Sequence, residues 1–310
     1  MNARRIAYQA AALAAVVGIA WFFIHNTSVN LEARRIASGF GFLSREAGFE
    51  IGEKFFLTYS AADSYLRALA VGVLNTLGVA LVGIVLATFL GTAVGLFRLS
   101  PNFLLRNLSA AYVEFFRNVP LLVQLFFWYA LITEGLPHPR EALSPLPGVF
   151  LSNRGILLPS LEGAPRLEGF NFVGGTAITP EFAALLAGLA VYTAAFIAEI
   201  VRAGVLSVER GQWEAAQAVG LERGEALRHV IIPQALRVVV PPLASQYLNL
   251  TKNSSLAVAI GYPDLVSIAN TAINQTGQAI EGIAIIMAVY LTISLSISAL
   301  MNWYNARVLR

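Results

Sequence analysis

Residues 211–233 of this 310-residue chain read GQWEAAQAVGLERGEALRHVIIP, the most polar helical pattern in an otherwise apolar sequence. The stretch divides into two short helix patterns, 212–219 and 221–231, that meet at Gly220. Glycine tolerates a positive φ at little cost, so Gly220 suits a point where one helix stops and the chain turns sharply. Pro233 suits the first turn of a following helix, where a missing N–H is harmless. The pattern predicts a hinged pair of short helices, either a docking element or an ordinary connection between two spans.

The sequence around this stretch has the composition of a membrane protein. Hydrophobic residues make up 57% of the chain and charged residues 13%, whereas soluble domains carry about 25% charged residues. Several apolar runs reach the length of about 20 residues that crosses a bilayer. The first run is too long for a signal peptide and no small-residue cleavage pattern follows it, so we expect an uncleaved span. The sequence therefore predicts an all-α polytopic membrane protein with six transmembrane helices, at 6–24, 69–97, 110–132, 181–203, 237–261 and 282–304.

The connections between these spans differ in character. Residues 25–67 carry charges of both signs, and residues 133–180 are rich in proline. We expect 133–180 to be a long loop, and a loop of that length without secondary structure is usually functional or disordered. Within the second span, Gly91 and Gly95 form a small-xxx-small spacing that would permit close helix contact. Pro241 and Pro242 should kink the start of the fifth span.

The arginines predict an orientation, because cytoplasmic loops of membrane proteins carry an excess of Lys and Arg. With the N-terminus in the cytoplasm, the long segments 25–67 and 133–180 are external, and so is 262–281, which has no Lys or Arg. Residues 211–233 are then cytoplasmic. The arginines on the cytoplasmic side are Arg4, Arg5, Arg98, Arg106, Arg210, Arg223, Arg228, Arg307 and Arg310.

Signatures of catalysis are missing from the sequence. No GxxxxGK[ST] occurs, because neither Lys54 nor Lys252 is followed by Ser or Thr, so no P-loop can form on this chain. The three histidines lie in separate segments without metal-ligand spacing, and there is no cysteine. No Ser/His/Asp or paired-carboxylate arrangement stands out, so we expect a transport subunit and not an enzyme, with no metal site and no cofactor on this chain, although the residues do not exclude a hydrolase. Any ATP-driven transport would need an ATPase on another chain.

Ionisable and polar groups inside spans are expensive, so each is a candidate functional group. Glu199 and Arg202 lie three apart near the cytoplasmic end of the fourth span, either as a self-neutralising pair or as part of a pathway. Lys252 lies roughly 20 Å along the fifth span, counted from Arg237 at about 1.5 Å per residue. Polar broken helices that line a cavity are where transporters tend to bind substrate groups, the alternative being hydrogen-bonding between helices. The candidate pathway residues are Gln124, Glu199, Gln246, Asn249, Lys252, Asn253, Ser254 and Ser255.

The opening stretch resembles the EAA signature of ABC importer permeases: Glu214-Ala215-Ala216, then Gly220, then Pro233 closing the motif. Further segments resemble the polar amino acid permeases: FFRNVPLLVQLFFWY at 115–129, AEIVRAGVLSV at 198–208 and NLTKNSSLAVAIGYPDL at 249–265. The last is most similar to subunits of general L-amino acid importers. The resemblance covers residues 69–310 and implies a type I importer core of five helices, a permease domain at 69–310 and an added helix with an external loop at 1–68.

The resemblance also implies partners: two ATPase subunits that hold ATP and Mg, a second permease subunit, identical or different, and an external amino acid-binding protein at the bacterial inner membrane. It assigns Glu214, Ala215, Ala216 and Gly220 to a coupling helix in a groove of the ATPase, with Gln212 and Trp213 as flanking contacts. Small alanines permit close packing of another protein, and Glu214 offers a charge to a basic partner residue. The competing hypotheses are an autonomous channel or ion-coupled carrier, which would use Lys252 and the Glu199–Arg202 pair, and a membrane scaffold that does not transport.

Overall fold

The computed structural model describes residues 3–33, 38–54, 56–160, 163–169 and 171–308. Ten α-helices lie in these residues: α1 (Ala3–Ala33), α2 (Tyr65–Phe97), α3 (Phe103–Asn118), α4 (Leu121–Thr133), α5 (Pro180–Leu206), α6 (Arg210–Ala218), α7 (Arg223–Ala226), α8 (Ile232–Asn253), α9 (Leu265–Thr276) and α10 (Ala279–Val308). Six short strands precede α5: β1 (Leu143–Leu146), β2 (Val149–Ser152), β3 (Gly155–Leu158), β4 (Arg166–Glu168), β5 (Asn171–Val173) and β6 (Thr176–Ile178). The protein is therefore mostly helical.

Four helices are long and apolar enough to cross a membrane within the described residues: α1, α2, α5 and α10. Two further helix pairs pass the same test only when both members are taken together. These are α3 with α4, and the run from α7 through α8 with α9. The number of spans is thus four, or up to six if each bent pair crosses once. The prediction of six transmembrane helices holds if each bent pair is one span.

The predicted third span, 110–132, is not one helix. It consists of α3 and α4, whose axes differ by 107°. Val119 between them is extended, with φ −87° and ψ 127°, and Pro120 is the N-cap of α4. The ring of a proline disfavours the helical conformation of the preceding residue and removes one backbone donor, so the helix ends where the sequence reads Val-Pro.

The segment 133–180 is not a structureless loop, and the all-α class is corrected accordingly. The strands β1, β2, β3 and β6 form an antiparallel sheet in that order, and β4 pairs with β5 in a separate hairpin. Gly148 has φ +77° and Gly155 has φ +107°, and they lie at the two turns that connect the first three strands. Positive φ is accessible to glycine without steric penalty, so these residues permit tight reversals.

The segment that follows α8 also differs from its expected form. Helix α8 runs through Pro241 and Pro242 and ends at Asn253, and a 3₁₀ stretch, Ser254–Ile260, continues it. The bend of 52° lies after Ile260 rather than at the prolines. Asp264 then caps α9, where its carboxylate accepts a hydrogen bond of 2.8 Å from the Ser267 N–H. The expected external loop 262–281 therefore contains a helix, because Asp264 supplies the N-cap.

Helix α5 lies at the centre of the main core and packs against α2, α3, α4 and α8. The small-xxx-small prediction for α2 is confirmed. A Cβ at Gly91 would lie 2.6 Å from the Ile197 Cβ, and a Cβ at Gly95 would lie 2.7 Å from the Ala198 backbone oxygen, both on α5. Only glycine allows these backbones to approach so closely.

A second core lies on the side of the segment 38–64, which packs against the start of α2 and against α9 and α10. Phe42, Tyr59 and Leu265 are among its buried members. Every described side chain of α1 is exposed. The orientation prediction remains untested; Arg310 lies outside the described residues, as do the side chains of Arg4 and Arg5.

Candidate functional site

The hinge at Gly220 forms as the sequence predicts. Helix α6 ends at Ala218, and Gly220 takes φ +83°. The Gly220 N–H donates to the Gln217 carbonyl at 2.9 Å, and the Leu221 N–H donates to the Ala216 carbonyl at 3.1 Å. This pair of bonds is the Schellman motif, which satisfies the last carbonyls of a helix through a left-handed residue. The turn between α6 and α7 is therefore fixed by backbone geometry.

Helix α7 leads directly into α8. Glu222 and Glu225 form a capping box at its start, with the Glu225 carboxylate accepting the Glu222 N–H at 3.2 Å. A π-helical turn, Leu227–Ile231, then joins α7 to α8, and Pro233 lies in the first turn of α8 as predicted. The Gln234 side-chain amide donates to the Gln212 Oε1 at 3.0 Å and so ties α6 to α8.

The exposed surface of α6 carries most of the predicted coupling residues. Gln212, Glu214 and Ala215 are exposed, and Trp213 is half-buried. Ala216, by contrast, is only 4% exposed. The expectation that both alanines lie on the surface is therefore wrong for Ala216, which packs inward against its own chain. Of the two alanines of the motif, Ala215 is the one that presents a bare methyl group to an approaching protein.

The polar residues of α8 divide between two faces. Asn249 and Lys252 are exposed, and Gln246, Asn253 and Ser255 are half-buried. Ser254 is 1% exposed, and its hydroxyl donates to the Thr251 carbonyl at 2.7 Å. Ser254 therefore lies on the opposite, buried side. The remaining five residues form a polar stripe along one face and one end of α8.

Within the described part of the chain, the Lys252 ammonium forms no ion pair with a carboxylate. It lies in the last turn of α8, where a cation is favoured by the helix dipole. An exposed ammonium on an apolar chain is available to a group outside this protomer. The stripe therefore has the chemistry of a surface that meets a carboxylate or a polar partner.

Glu199 is engaged by two arginines and is not part of this stripe. Arg98, at the end of α2, forms an ion pair with its Oε2. Arg202 donates from Nε to the same oxygen at 3.2 Å and pairs with Oε1 through its Nη2. The cluster ties α2 to α5, which supports the self-neutralising interpretation. It leaves neither carboxylate oxygen free to carry an ion.

Gln124 is buried and serves the break between α3 and α4. Its side-chain amide donates to the carbonyls of Phe116 and Val119, both at 3.0 Å. These carbonyls belong to the last turn of α3 and its cap, where the helix itself supplies no donor. The structure thus gives Gln124 a positioning role in the fold.

Sequence reasoning missed Asn75, a polar residue inside α2 that is fully buried. Its side-chain amide donates to the carbonyls of Glu53 and Pro263, both at 2.9 Å. Asn75 therefore joins the segment before α2, α2 itself and the break before α9. The signal was present, because a polar side chain in the middle of an apolar span is a candidate site in its own right.

The sequence and the structure were compared with known proteins. Residues 83–310 match the family described as binding-protein-dependent transport system inner membrane component. The chain is 48% identical to the putative amino-acid ABC transporter permease protein YhdX of Escherichia coli K12, covering 97% of this chain and 93% of that protein. It is 42% identical to the general L-amino acid transport system permease protein AapQ of Rhizobium johnstonii, covering 98% and 92%.

Among solved structures, the fold is similar to a chain of an amino acid ABC transporter crystallised with histidines. That similarity has a TM-score of 0.60 and 27% sequence identity, and it covers 78% of this chain and 95% of that one. A chain of an inward-facing methionine ABC transporter, MetNI, has a TM-score of 0.56 at 19% identity and supports the fold alone.

Proposed function

This chain belongs to the family of binding-protein-dependent transport system inner membrane components, and from that premise we propose that it is the membrane-spanning subunit of an ATP-driven importer of amino acids. The observation that carries the proposal is the identity of 48% and 42%, over nearly the whole chain, to amino-acid ABC transporter permeases. The substrate class is polar or general L-amino acids. The chain spans the bacterial inner membrane, with its N-terminus in the cytoplasm.

The coupling element consists of α6, the Gly220 turn and α7. It docks in a groove of a separate ATPase subunit, which holds ATP and Mg. Three features support this: the exposed Glu214 and Ala215, the backbone-fixed turn, and the direct helical connection to α8. No P-loop occurs on this chain, so the ATPase must be another subunit. Closure of the ATPase would move α6 and α7 as a unit and so tilt α8.

The polar stripe of α8 faces the pathway between two permease subunits. Its members are Gln246, Asn249, Lys252, Asn253 and Ser255. Lys252 would meet the carboxylate that all free amino acids share, because an exposed ammonium can form a charge-assisted hydrogen bond with it. A second permease, identical or different, completes the pathway, and an external binding protein delivers the substrate. Alternating access follows from tilting α8 in each subunit.

The division of the chain follows from the same proposal. Residues 69–310 form the permease domain, and residues 1–68 add a helix and an external segment to it. The family match that begins at residue 83 supports this division, and so does the exposure of every described side chain of α1.

A tagged purification in mild detergent tests the proposal. We expect an ATPase subunit to co-purify, and reconstituted complexes to take up amino acids only with ATP and the binding protein present. Uptake by the purified chain alone, without ATP, would instead support an autonomous carrier. A chain that co-purifies with no ATPase and does not transport would leave only the scaffold hypothesis.

A further inference from the structure

An external pocket lies apart from both the coupling element and the polar stripe. It forms where the segment 49–53 meets the start of α5 and the region from Gly261 to the first turns of α9. The cavity has a volume of about 390 Å³. Its polar lining includes Glu50, Glu53, Glu181 and the hydroxyls of Thr179 and Ser267. No Lys, Arg or His is among its lining residues in the described part of the chain.

Glu53 is the central feature of this pocket. It is 8% exposed, and the Thr179 hydroxyl donates to its Oε2 at 2.8 Å. Its Oε1 is buried and has no hydrogen-bond partner among the described residues. A buried carboxylate oxygen without a donor costs about 1–3 kcal/mol or more, so buried acceptors normally have a partner. The free oxygen therefore marks the place of a donor that this chain does not supply.

The charged groups around Glu53 are mostly acidic. On its own segment, Glu50 accepts hydrogen bonds from Lys54 at 3.2 Å and from the Ala61 N–H at 3.1 Å, so Lys54 is already engaged. On α5, Glu181 accepts a hydrogen bond from the Tyr129 hydroxyl at 3.1 Å.

On the side of α9, the buried Tyr262 and Asp264 complete the surroundings. One oxygen of the Asp264 carboxylate caps α9, and the other has no hydrogen-bond partner among the described residues. Glu53 and Glu181 therefore lack a neutralising cation, which favours a positively charged ligand.

The described residues contain no group of three or more His, Cys, Asp or Glu placed to hold a metal ion. A hydrogen-bond donor that also carries a positive charge satisfies both requirements of the pocket. We propose that this pocket binds one ammonium or guanidinium group, which donates to the Glu53 Oε1 and lies within the field of Glu181. The group belongs either to a free cationic solute or to a Lys or Arg side chain of the external binding protein.

Such binding has a distinct pH dependence. Burial, together with the nearby charge of Glu181, raises the pKa of Glu53 to about 7. Glu53 is therefore protonated in about half of the molecules near neutral pH. A cation stabilises the ionised form, so its binding releases a proton from Glu53 and strengthens as the pH rises through 7.

The test uses the full chain in nanodiscs. A hydrophobic carbodiimide reacts with protonated, buried carboxyls, and mass spectrometry locates the adduct. We expect labelling of Glu53 to be half-maximal near pH 7. Methylguanidinium at saturation should move that midpoint down by about one pH unit, the equivalent of tenfold. Methylurea, which has a similar shape without the charge, should leave it unchanged.

Variants separate the proposal from a general effect on folding. Glu181→Gln keeps an acceptor for Tyr129 but removes the second charge, so it should weaken protection by methylguanidinium several-fold and lower the midpoint. Glu46→Gln, at an exposed position on the same external segment, should behave as the unchanged chain.

A second arm replaces the free cation with the purified binding protein. Protection by methylguanidinium supports a pocket that takes free cations. Protection by the binding protein alone supports a side chain as the ligand. Protection by neither overturns the proposal, and so does equal protection by methylurea. All four results are independent of ATP hydrolysis and amino acid uptake.

Discussion

Replacement of Gly220 tests whether the hinge at the end of α6 contacts an ATPase. Gly220 has φ +83°, a conformation that L-residues rarely adopt. A Cβ added there would meet no described atom within 4 Å. Any substitution therefore carries the backbone penalty of the left-handed conformation, and none carries a steric penalty at Cβ within this protomer.

The free-energy cost of a substitution at Gly220 follows from its positive φ and the open space around its Cβ position. A non-glycine residue in the left-handed region costs about 1–2 kcal/mol, which is a factor of about 5–30 in the local equilibrium of the hinge. Gly220→Ala and Gly220→Leu share this cost, because their Cβ atoms occupy the same open space. Leucine in addition projects a branched side chain outward, where the proposed groove of the ATPase would lie. The difference between the two variants thus isolates the contact.

The assay compares both variants with the unchanged chain in proteoliposomes that hold the ATPase and the binding protein. Gly220→Ala should retain coupling between substrate-stimulated ATP hydrolysis and uptake, with a modest loss of both. Gly220→Leu should lose at least tenfold of the uptake per ATP hydrolysed while it still inserts into the membrane. Both variants should unfold at the same temperature within error.

One result would refute the reasoning. If Gly220→Leu supports substrate-stimulated ATPase and uptake at the level of Gly220→Ala, the hinge makes no contact that matters for coupling. An equal and severe loss in both variants would mean that backbone conformation, and not an interface, carries the effect.

Four further changes test other parts of the structure. Asn75→Leu leaves two buried carbonyls without a donor and should destabilise the chain by about 2–4 kcal/mol. The control Asn118→Leu, at an exposed position, should change stability by less than about 0.5 kcal/mol. Thermal unfolding in detergent measures both variants. Glu199→Gln removes the charge that neutralises two partly exposed arginines, and thermal unfolding should show that the chain loses about 1 kcal/mol of stability. An unchanged stability would contradict the ion pairing. Lys252→Met removes a charge-assisted hydrogen bond of about 1.5–3 kcal/mol and should therefore lower uptake about 10- to 100-fold. The ATPase should still co-purify with this variant. Normal uptake would remove Lys252 from the pathway. Because the pKa of Glu53 is higher in the folded chain, the folded state holds more protons than the unfolded state between pH 4.5 and about 7. The contribution of Glu53 to stability should therefore fall by about 3–3.5 kcal/mol as the pH rises through that window, and Glu53→Gln should reduce the slope by that amount.

Local chemistry made part of the fold predictable. Some residues have one dominant structural use, so their roles follow from residue type and spacing alone: Gly220, Pro233, and the pair Gly91 and Gly95. The break at Val119 also had a local cause in Pro120. The apolar run around Pro120 is long enough for a span, however, so its hydropathy predicted one continuous helix there. The strands in 143–178 were missed for the opposite reason, because the many prolines suggested irregular structure.

The candidate sites were predictable only where one helix decides the outcome. The stripe around Asn249 and Lys252 follows from the period of α8. Ser254, four residues after the buried Leu250, lies on the buried face. The role of Glu199 could not be predicted from its own helix, because its partner Arg98 lies about a hundred positions away along the chain. Glu53 could not be recognised at all, because its burial depends on the meeting of three segments far apart in sequence.

The continuous helical path from Arg223 to Asn253 has a mechanical consequence. It contains no flexible loop, only the π-helical turn, and at about 1.5 Å per residue it is about 45 Å long. Moved as one rigid body, it acts as a lever. A rotation of about 5° at the α7 end, about a pivot there, displaces the other end by about 4 Å, a distance comparable to the width of one side chain. A small rearrangement at the α7 end is thus sufficient to open or close a gap at the far end of α8.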